Sequence, residues 1–255
     1  MNWYKKSQQE ITMENINNAI DDLILPTIRE KDGLRYINQF RKENVDFTYD
    51  IVLNKNDYKI SNIFKENPNN LKFIVKSNSI CIIPNIEISR RVKANELYSL
   101  YNLLIKDLVS SKKIVYILSH SSEDLEMCIK IKNQFLKNNK VILITDDLNV
   151  FEIEHIIKQM DFIIASRYHS IVHAYKNSVP VLAIGWSIKY LELLDAFNQS
   201  DYYFDIRSKI NIENFSQKLQ EMKENYTREK KKISQAFDNI LLQKDWLTLL
   251  SFGSN

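Results

Sequence analysis

Five short apolar runs, each separated from the next by a stretch with apolar residues at helical spacing, constrain this chain more than any other feature. Ile80–Ile83, Ile114–Leu118, Val141–Thr145, Phe162–Ala165 and Val181–Ile184 have the length and continuity of strands buried on both faces. Between them, Leu97, Leu100, Leu104 and Leu108 mark one helical face, and Leu125, Ile129 and Leu136 a second. Ile153, Ile156, Ile157 and Met160 mark a third. This alternation predicts an α/β fold, a Rossmann-like and mostly parallel sheet with helices on both faces. In such sheets ligands gather beyond the carboxyl ends of the strands. Ser119–Ser122, Asp146–Asp147, Ser166–His169 and Gly185–Lys189 all fall there. Asp146 and Asp147 are expected to cap the helix that follows.

The chain ahead of these repeats reads differently. It offers a helix near Glu10–Leu23, a strand at Leu25–Ile28, a helix from Asp32 to about Arg41 and an apolar run at Tyr49–Leu53. Lys65–Lys72, with Pro68 and several asparagines, has the composition of a linker. The expected division is therefore a partial unit over residues 1–75 and a complete unit over 76–255. The latter ends in a long charged helix from Ile212 to about Leu242, on which Lys230–Lys232 reads as a solvated face.

Only three glycines occur in 255 residues, far below the usual share of about 7%. Gly33, Gly185 and Gly253 are widely separated, so no glycine-rich phosphate loop exists, and a bound phosphate must be held by side chains and helix ends. A net charge of +3 from 35 basic and 32 acidic residues gives no mandate for nucleic acid. Cys81 and Cys128 each sit in or beside an apolar stretch and read as buried free thiols. No apolar run reaches the length of a membrane span, and MNWYKKSQQE lacks the apolar middle of a signal peptide. The expected location is the cytoplasm, extending to the inner face of the membrane.

Residues 161–189, DFIIASRYHSIVHAYKNSVPVLAIGWSIK, carry the chemistry. A buried strand leads to Ser166, a candidate helix N-cap, and then to a helix marked by Ile171, Ala174 and Tyr175. Arg167 and His169 stand in its first turn. There unpaired N–H groups and the helix dipole favour an anion, an arginine fork can grip one, and a histidine can move a proton near neutral pH. His173 follows His169 by four residues, but HSIVH lacks the interior glutamate of a zinc motif and no third ligand is evident, so it reads as a packing residue. His120, among Ser119, Ser121 and Ser122, is a candidate to line the same edge.

The order Ser166-Arg167-Tyr168-His169, Pro180-Val181 with Ile184, and Lys189 resembles the polysaccharide pyruvyl transferase family. The likeness is sharpest over 141–205 and weaker over 23–53, where TIREKDGLRYI resembles a family helix start and DIVL its following strand. The resemblance implies two Rossmann-like halves in a GT-B-like architecture, of which this chain holds one complete half and part of the other. It also implies transfer of pyruvate from phosphoenolpyruvate to a pair of sugar hydroxyls as a ketal, without a resident cofactor. By the same resemblance His169 is the acid/base and Arg167 its catalytic partner, while Arg29, Ser166 and Lys189 hold the donor; read from the residues alone, pairing of Arg29 with Glu30 or Asp32 and a solvated Lys189 stand equally open. Trp186 is a candidate acceptor contact, able to stack on a sugar ring. The implied partners are phosphoenolpyruvate, a glycan or lipid-linked sugar acceptor, and a complementary chain supplying the rest of the first half.

Two alternatives remain open at this point. The same architecture suits a glycosyltransferase using a nucleotide sugar, although no diphosphate loop is recognisable. The incomplete first half also suits an inactive fragment or a subunit that docks on a partner.

Overall fold

The computed structural model describes residues 27–41, 45–53, 59–66, 68–208 and 210–242. The expected helix near Glu10–Leu23 and the residues Leu25 and Pro26 lie outside them. The chain divides into two compact units, residues 1–51 and 52–255.

In the first unit, β1 (Thr27–Ile28) pairs in parallel with β2 (Asp46–Phe47), and α1 (Lys31–Ile37) connects them. The helix is shorter than the expected stretch to Arg41. The run at Tyr49–Leu53 is not a strand: the ladder is already formed at Asp46–Phe47, and Ile51–Leu53 make a single 3₁₀ turn. Apolar composition alone does not separate those two outcomes over so few residues.

The second unit is built on β3 (Ser79–Ile83), β4 (Ile114–Leu118), β5 (Val141–Ile144), β6 (Ile163–Ala165), β7 (Val181–Gly185) and β8 (Tyr203–Asp205). All neighbours are parallel, in the order β5-β4-β3-β6-β7-β8. This is the Rossmann order, with a topological switch point between β3 and β6. The central strands β3, β6 and β7 are buried at every position, whereas the edge strands β5 and β8 are only partly buried. That explains why the central strands read as unbroken apolar runs.

The connecting helices are α2 (Ile86–Ser89), α3 (Ala94–Ser110), α4 (Leu125–Asn133), α5 (Val150–Ile157), α6 (Tyr168–Lys176) and α7 (Ile188–Ala196). The chain ends in the thirty-residue α8 (Ile212–Leu241). α3 packs on α4, while α6 packs on both α5 and α8. Right-handed crossovers leaving the centre in opposite directions place these two groups on opposite faces. Leu97, Leu100, Leu104 and Leu108 are buried as the spacing requires, as are Ile153, Ile156, Ile157 and Met160. The middle face is different. Ile129 and Leu136 are exposed, at 38% and 71%, and α4 buries Met127, Cys128 and Ile131 instead. The helix stops at Asn133, so Leu136 never belonged to its periodic face.

Helix starts also depart from expectation. α5 is capped by Asn149, not by Asp146 or Asp147: Asn149 Oδ1 accepts from the N–H groups of Phe151 and Glu152, and Glu152 returns a bond to the Asn149 N–H. This reciprocal pair satisfies the helix's first donors. At α6 the cap position is Arg167, one residue beyond the expected Ser166, and no side chain closes it.

The amino-end edge of the sheet is tightly fastened. Lys112, Ser178 and Asn198 end α3, α6 and α7 in the left-handed region, with φ of 63°, 57° and 56°. In each case the next N–H reaches back five residues: Lys113 to Leu108, Val179 to Ala174 and Gln199 to Leu194. Glycine usually fills such positions, and this glycine-poor chain uses other residues. α8 braces the same edge: Lys223 meets Asp107 at 2.7 Å, Lys230 donates to the Met160 carbonyl at 2.9 Å, and Glu229 accepts from Gln199 at 2.9 Å. Lys230 is thus partly packed and not a member of a purely solvated face. The stretch 65–72 includes a 3₁₀ turn at Asn69–Lys72. The chain after it is tied to α5, with the Phe73 carbonyl accepting from His155 and Gln159.

Candidate functional site

β3 and β6 pair up to Ile83↔Ala165, and the chain leaves both strands at the switch point. Two side chains lock the departing loops together. Asn85 Nδ2 donates to the Ser166 carbonyl at 3.2 Å, and Tyr190 Oη donates to the same oxygen at 3.0 Å. Ser166, expected to hold the donor, is itself buried and joined to β3 through its N–H on the Ile83 carbonyl. It fixes the turn from which Arg167 and His169 project.

Arg167 is held by two carboxylates. Its Nε and Nη2 donate to the two oxygens of Asp124 at 2.7 Å each, and Nη2 also donates to Glu123 at 2.6 Å. Asp124 is fully buried and accepts a third bond, from the Ile86 N–H at 2.9 Å. A two-point guanidinium–carboxylate contact is geometrically specific and strong. Here it joins the loops after β3, β4 and β6. Glu123 differs from Asp124 in being half exposed; the hydrogen bond from Arg167 holds its carboxyl below the ordinary value.

His169 is exposed at the start of α6, its ring edge-on to Tyr168 with centroids 5.6 Å apart. Lys189, one residue into α7, extends over the Tyr168 ring at 5.0 Å and the Tyr190 ring at 5.7 Å. These distances suit cation–π attraction and bring the lysine beside the Arg167–His169 turn. Tyr190 also covers the end of β7: a Cβ on Gly185 would stand 2.6 Å from the Tyr190 ring, so only glycine allows this approach. Trp186 lies 5.4 Å from Tyr190 on one side and carries the Arg91 guanidinium 4.6 Å from its ring centre.

Deeper beneath this edge lies a second cluster. His173 is buried, and its Nδ1 is 3.2 Å from Glu154. Lys176 and Asn177 meet the same carboxylate at 3.4 and 3.0 Å. Burial alone would raise the Glu154 carboxyl, but the bonds from His173 and Asn177 and the Lys176 charge outweigh it and hold it at about 2. His120, just past β4, has its ring centre 6.5 Å from that of His173. Among the described residues, no group of three His, Cys, Asp or Glu side chains has the geometry to hold a metal ion.

The fold therefore gathers Ser166, Arg167, His169, Trp186 and Lys189 on one edge. Arg29 belongs to the first unit, where it pairs with Glu30 at 2.7 Å and Asp50 at 3.0 Å. Glu123, Asp124, Asn85 and Tyr190 are the site residues that sequence reasoning missed. The Ser-Ser-Glu-Asp run after β4 held the signal for two of them, because acidic residues beyond a strand end face whatever basic group the next turn presents.

Among curated protein sequences, none matches this chain. Among solved structures, the spinosyn forosaminyltransferase SpnP is similar at 14% identity and a TM-score of 0.47, covering 81% of this chain and 49% of that one. A GtfA/B complex matches at 12% and 0.46, covering 89% and 47%. The pneumococcal O-GlcNAc transferase GtfA, in complex with UDP and GlcNAc, matches at 11% and 0.43, covering 91% and 48%. This chain spans about half the length of each. The sequence profile described as polysaccharide pyruvyl transferase matches residues 27–188, across both units and through the Ser-Arg-x-His turn. That is well over half of the 255 residues, and the chain belongs to the polysaccharide pyruvyl transferase family.

Proposed function

We propose that this chain supplies the donor-binding edge of a pyruvyl transferase, which moves pyruvate from phosphoenolpyruvate to a pair of sugar hydroxyls. The observation that carries this reading is the convergence of Arg167, His169 and Lys189 at the switch point, in a chain of this family.

In this mechanism His169 protonates the methylene carbon of phosphoenolpyruvate, leaving positive charge at the carbon that bears the phosphate. A sugar hydroxyl attacks that carbon and its proton returns to His169. The carbon–oxygen bond to phosphate breaks, and the second hydroxyl closes the ketal on the same carbon, its proton leaving on the departing phosphate. Lys189 and Arg167 neutralise the donor as its charge moves to the departing phosphate. Arg167 is presented for this by Asp124, while half-exposed Glu123 is the counter-ion an arriving phosphate or carboxylate displaces. Trp186, flanked by Arg91, offers a face for the acceptor sugar. Ser166 contributes through the backbone turn, and Arg29 is a further candidate to meet the donor's charge. The acceptor is a glycan or lipid-linked sugar of surface-polysaccharide synthesis, met in the cytoplasm or at the inner membrane face. Among the described residues no helix is long and apolar enough to cross a membrane.

Calorimetric titration with phosphoenolpyruvate tests the donor. Saturable binding is expected, lost in Lys189→Ala and largely kept in His169→Ala, while His169→Ala abolishes pyruvate transfer. Unchanged turnover in His169→Ala would remove its role. A thermal shift with nucleotide sugars and none with phosphoenolpyruvate would replace the donor.

A further inference from the structure

Two arginines on this edge use their guanidinium groups in opposite ways. Arg167 commits the side formed by Nε and Nη2 to the two oxygens of Asp124, at 2.7 Å each. Arg91, just past α2, is fixed through Nη1 alone, which donates to the Glu87 carbonyl at 2.8 Å and to the Glu87 carboxylate at 3.3 Å. Among the described residues nothing accepts from its Nε or Nη2, and the side chain keeps 38% exposure. The pair of N–H groups that grips a carboxylate or phosphate at two points is therefore filled on Arg167 and open on Arg91.

Arg91 is also built into the site. The base of α2 is fastened to the Arg167 turn twice, by the Ile86 N–H on Asp124 and by Asn85 on the Ser166 carbonyl. The Arg91 guanidinium lies over the Trp186 ring, 4.6 Å from its centre, a contact that orients the fork without using its N–H groups. From Arg91 to Lys189 the path runs over Trp186 and Tyr190 in steps of 4.6, 5.4 and 5.7 Å, so the two cations stand no farther apart than these steps laid end to end. The Tyr190 phenol lies in the field of both Arg91 and Arg167. The carboxylates nearest in the fold are already engaged: Glu87 with Arg90 and Arg91, Glu123 and Asp124 with Arg167. An open two-point cation on an indole, with the donor's cations beyond it, suits a sugar that carries its own negative charge.

We propose that Arg91 is a specificity-determining contact for the acceptor: its Nε and Nη2 hold an anionic group on the acceptor sugar, a phosphate on the anomeric oxygen or a ring carboxylate, while Trp186 meets the sugar ring. The inference rests on the transferase reading of this edge and names the class of acceptor it takes. A neutral sugar gains the contact with Trp186 and leaves the Arg91 fork in water.

The test titrates the full chain with hexose 1-phosphates, hexuronic acids and the matching neutral hexoses. Calorimetry reads affinity, and the indole N–H resonance of Trp186, assigned with Trp186→Phe, reads position. Phosphoenolpyruvate is titrated in parallel, and every series is repeated on Arg91→Ala and Arg91→Lys. At least one charged class is expected to move Trp186 saturably and to bind about tenfold more tightly than its neutral counterpart. Arg91→Ala should lose that margin, and Arg91→Lys, which keeps the charge without the fork, should lose part of it. Both variants should melt near the wild type and bind phosphoenolpyruvate as it does. The phosphate and carboxylate arms decide which group the acceptor carries. Equal affinity for charged and neutral sugars, charged-sugar binding that survives Arg91→Ala, or a Trp186 resonance that no sugar moves overturns the inference. If Arg91→Ala weakens phosphoenolpyruvate instead, Arg91 is a donor contact; the inference falls and the donor stands. If a charged sugar binds through Arg91 and phosphoenolpyruvate does not bind, the acceptor contact stands and the donor falls.

Discussion

Arg167 and Asp124 face each other across the loops after β6 and β4 through two hydrogen bonds of 2.7 Å, with the carboxylate fully buried and also bound to the Ile86 N–H. Removing the carboxylate takes two of the three bonds from a guanidinium that keeps only 19% exposure, leaving it Glu123 on the solvent side. Asp124→Ala should therefore cost about 3 kcal/mol, the low end for a broken buried pair. Glu123→Gln, on the solvent side of the same arginine, should leave stability unchanged and tighten anion binding by about threefold, as expected for an exposed competitor. Urea unfolding and calorimetry on the two variants check the contrast.

The left-handed residues at the helix ends make a stability prediction in the opposite direction. Lys112 and Ser178, at φ of 63° and 57°, hold a conformation that costs a side-chain-bearing residue about 1–2 kcal/mol. Glycine removes that strain but loses more freedom on folding. Lys112→Gly and Ser178→Gly should each stabilise by about 0.5–1 kcal/mol. Asn198, of a residue type that tolerates this region, should gain less. Thermal melts rank the three.

Acid should reveal the buried cluster under α6. The Glu154 carboxyl is held at about 2 in the folded chain, below its ordinary value of 4.5. A depressed carboxyl contributes stability in full above the unfolded value and loses it as pH falls through the folded one. Glu154→Gln should be less stable than the wild type at pH 7, with a gap that narrows progressively between about pH 4.5 and 2. Denaturation curves at pH 7, 4.5 and 3 measure it.

The fold was readable where burial on both faces erased ambiguity. Ile114–Leu118 and Val181–Gly185 are strands because no polar residue interrupts them, and central parallel strands need none. Tyr203–Asp205 was not readable, since a three-residue edge strand that ends in aspartate has neither length nor pattern. Ile129 misled because a helix of nine residues defines its buried face by only a few positions. Within the site, the residues of one continuous turn were legible as a group. Those that hold the turn came from elsewhere in the chain: Asn85 reaches Ser166 across 81 positions and Asp124 reaches Arg167 across 43. Such partners carry no local spacing signal.

α8, about 45 Å long, touches the ends of α3, α5 and α7, and all of these contacts lie on the rim where the strands begin. The rim where the strands end is left to side chains that bind one another in pairs and triplets. Rigidity and recognition are thus assigned to opposite borders of one sheet. A lineage carrying this architecture can rewrite the chemistry of one border while the other goes on holding the protein upright.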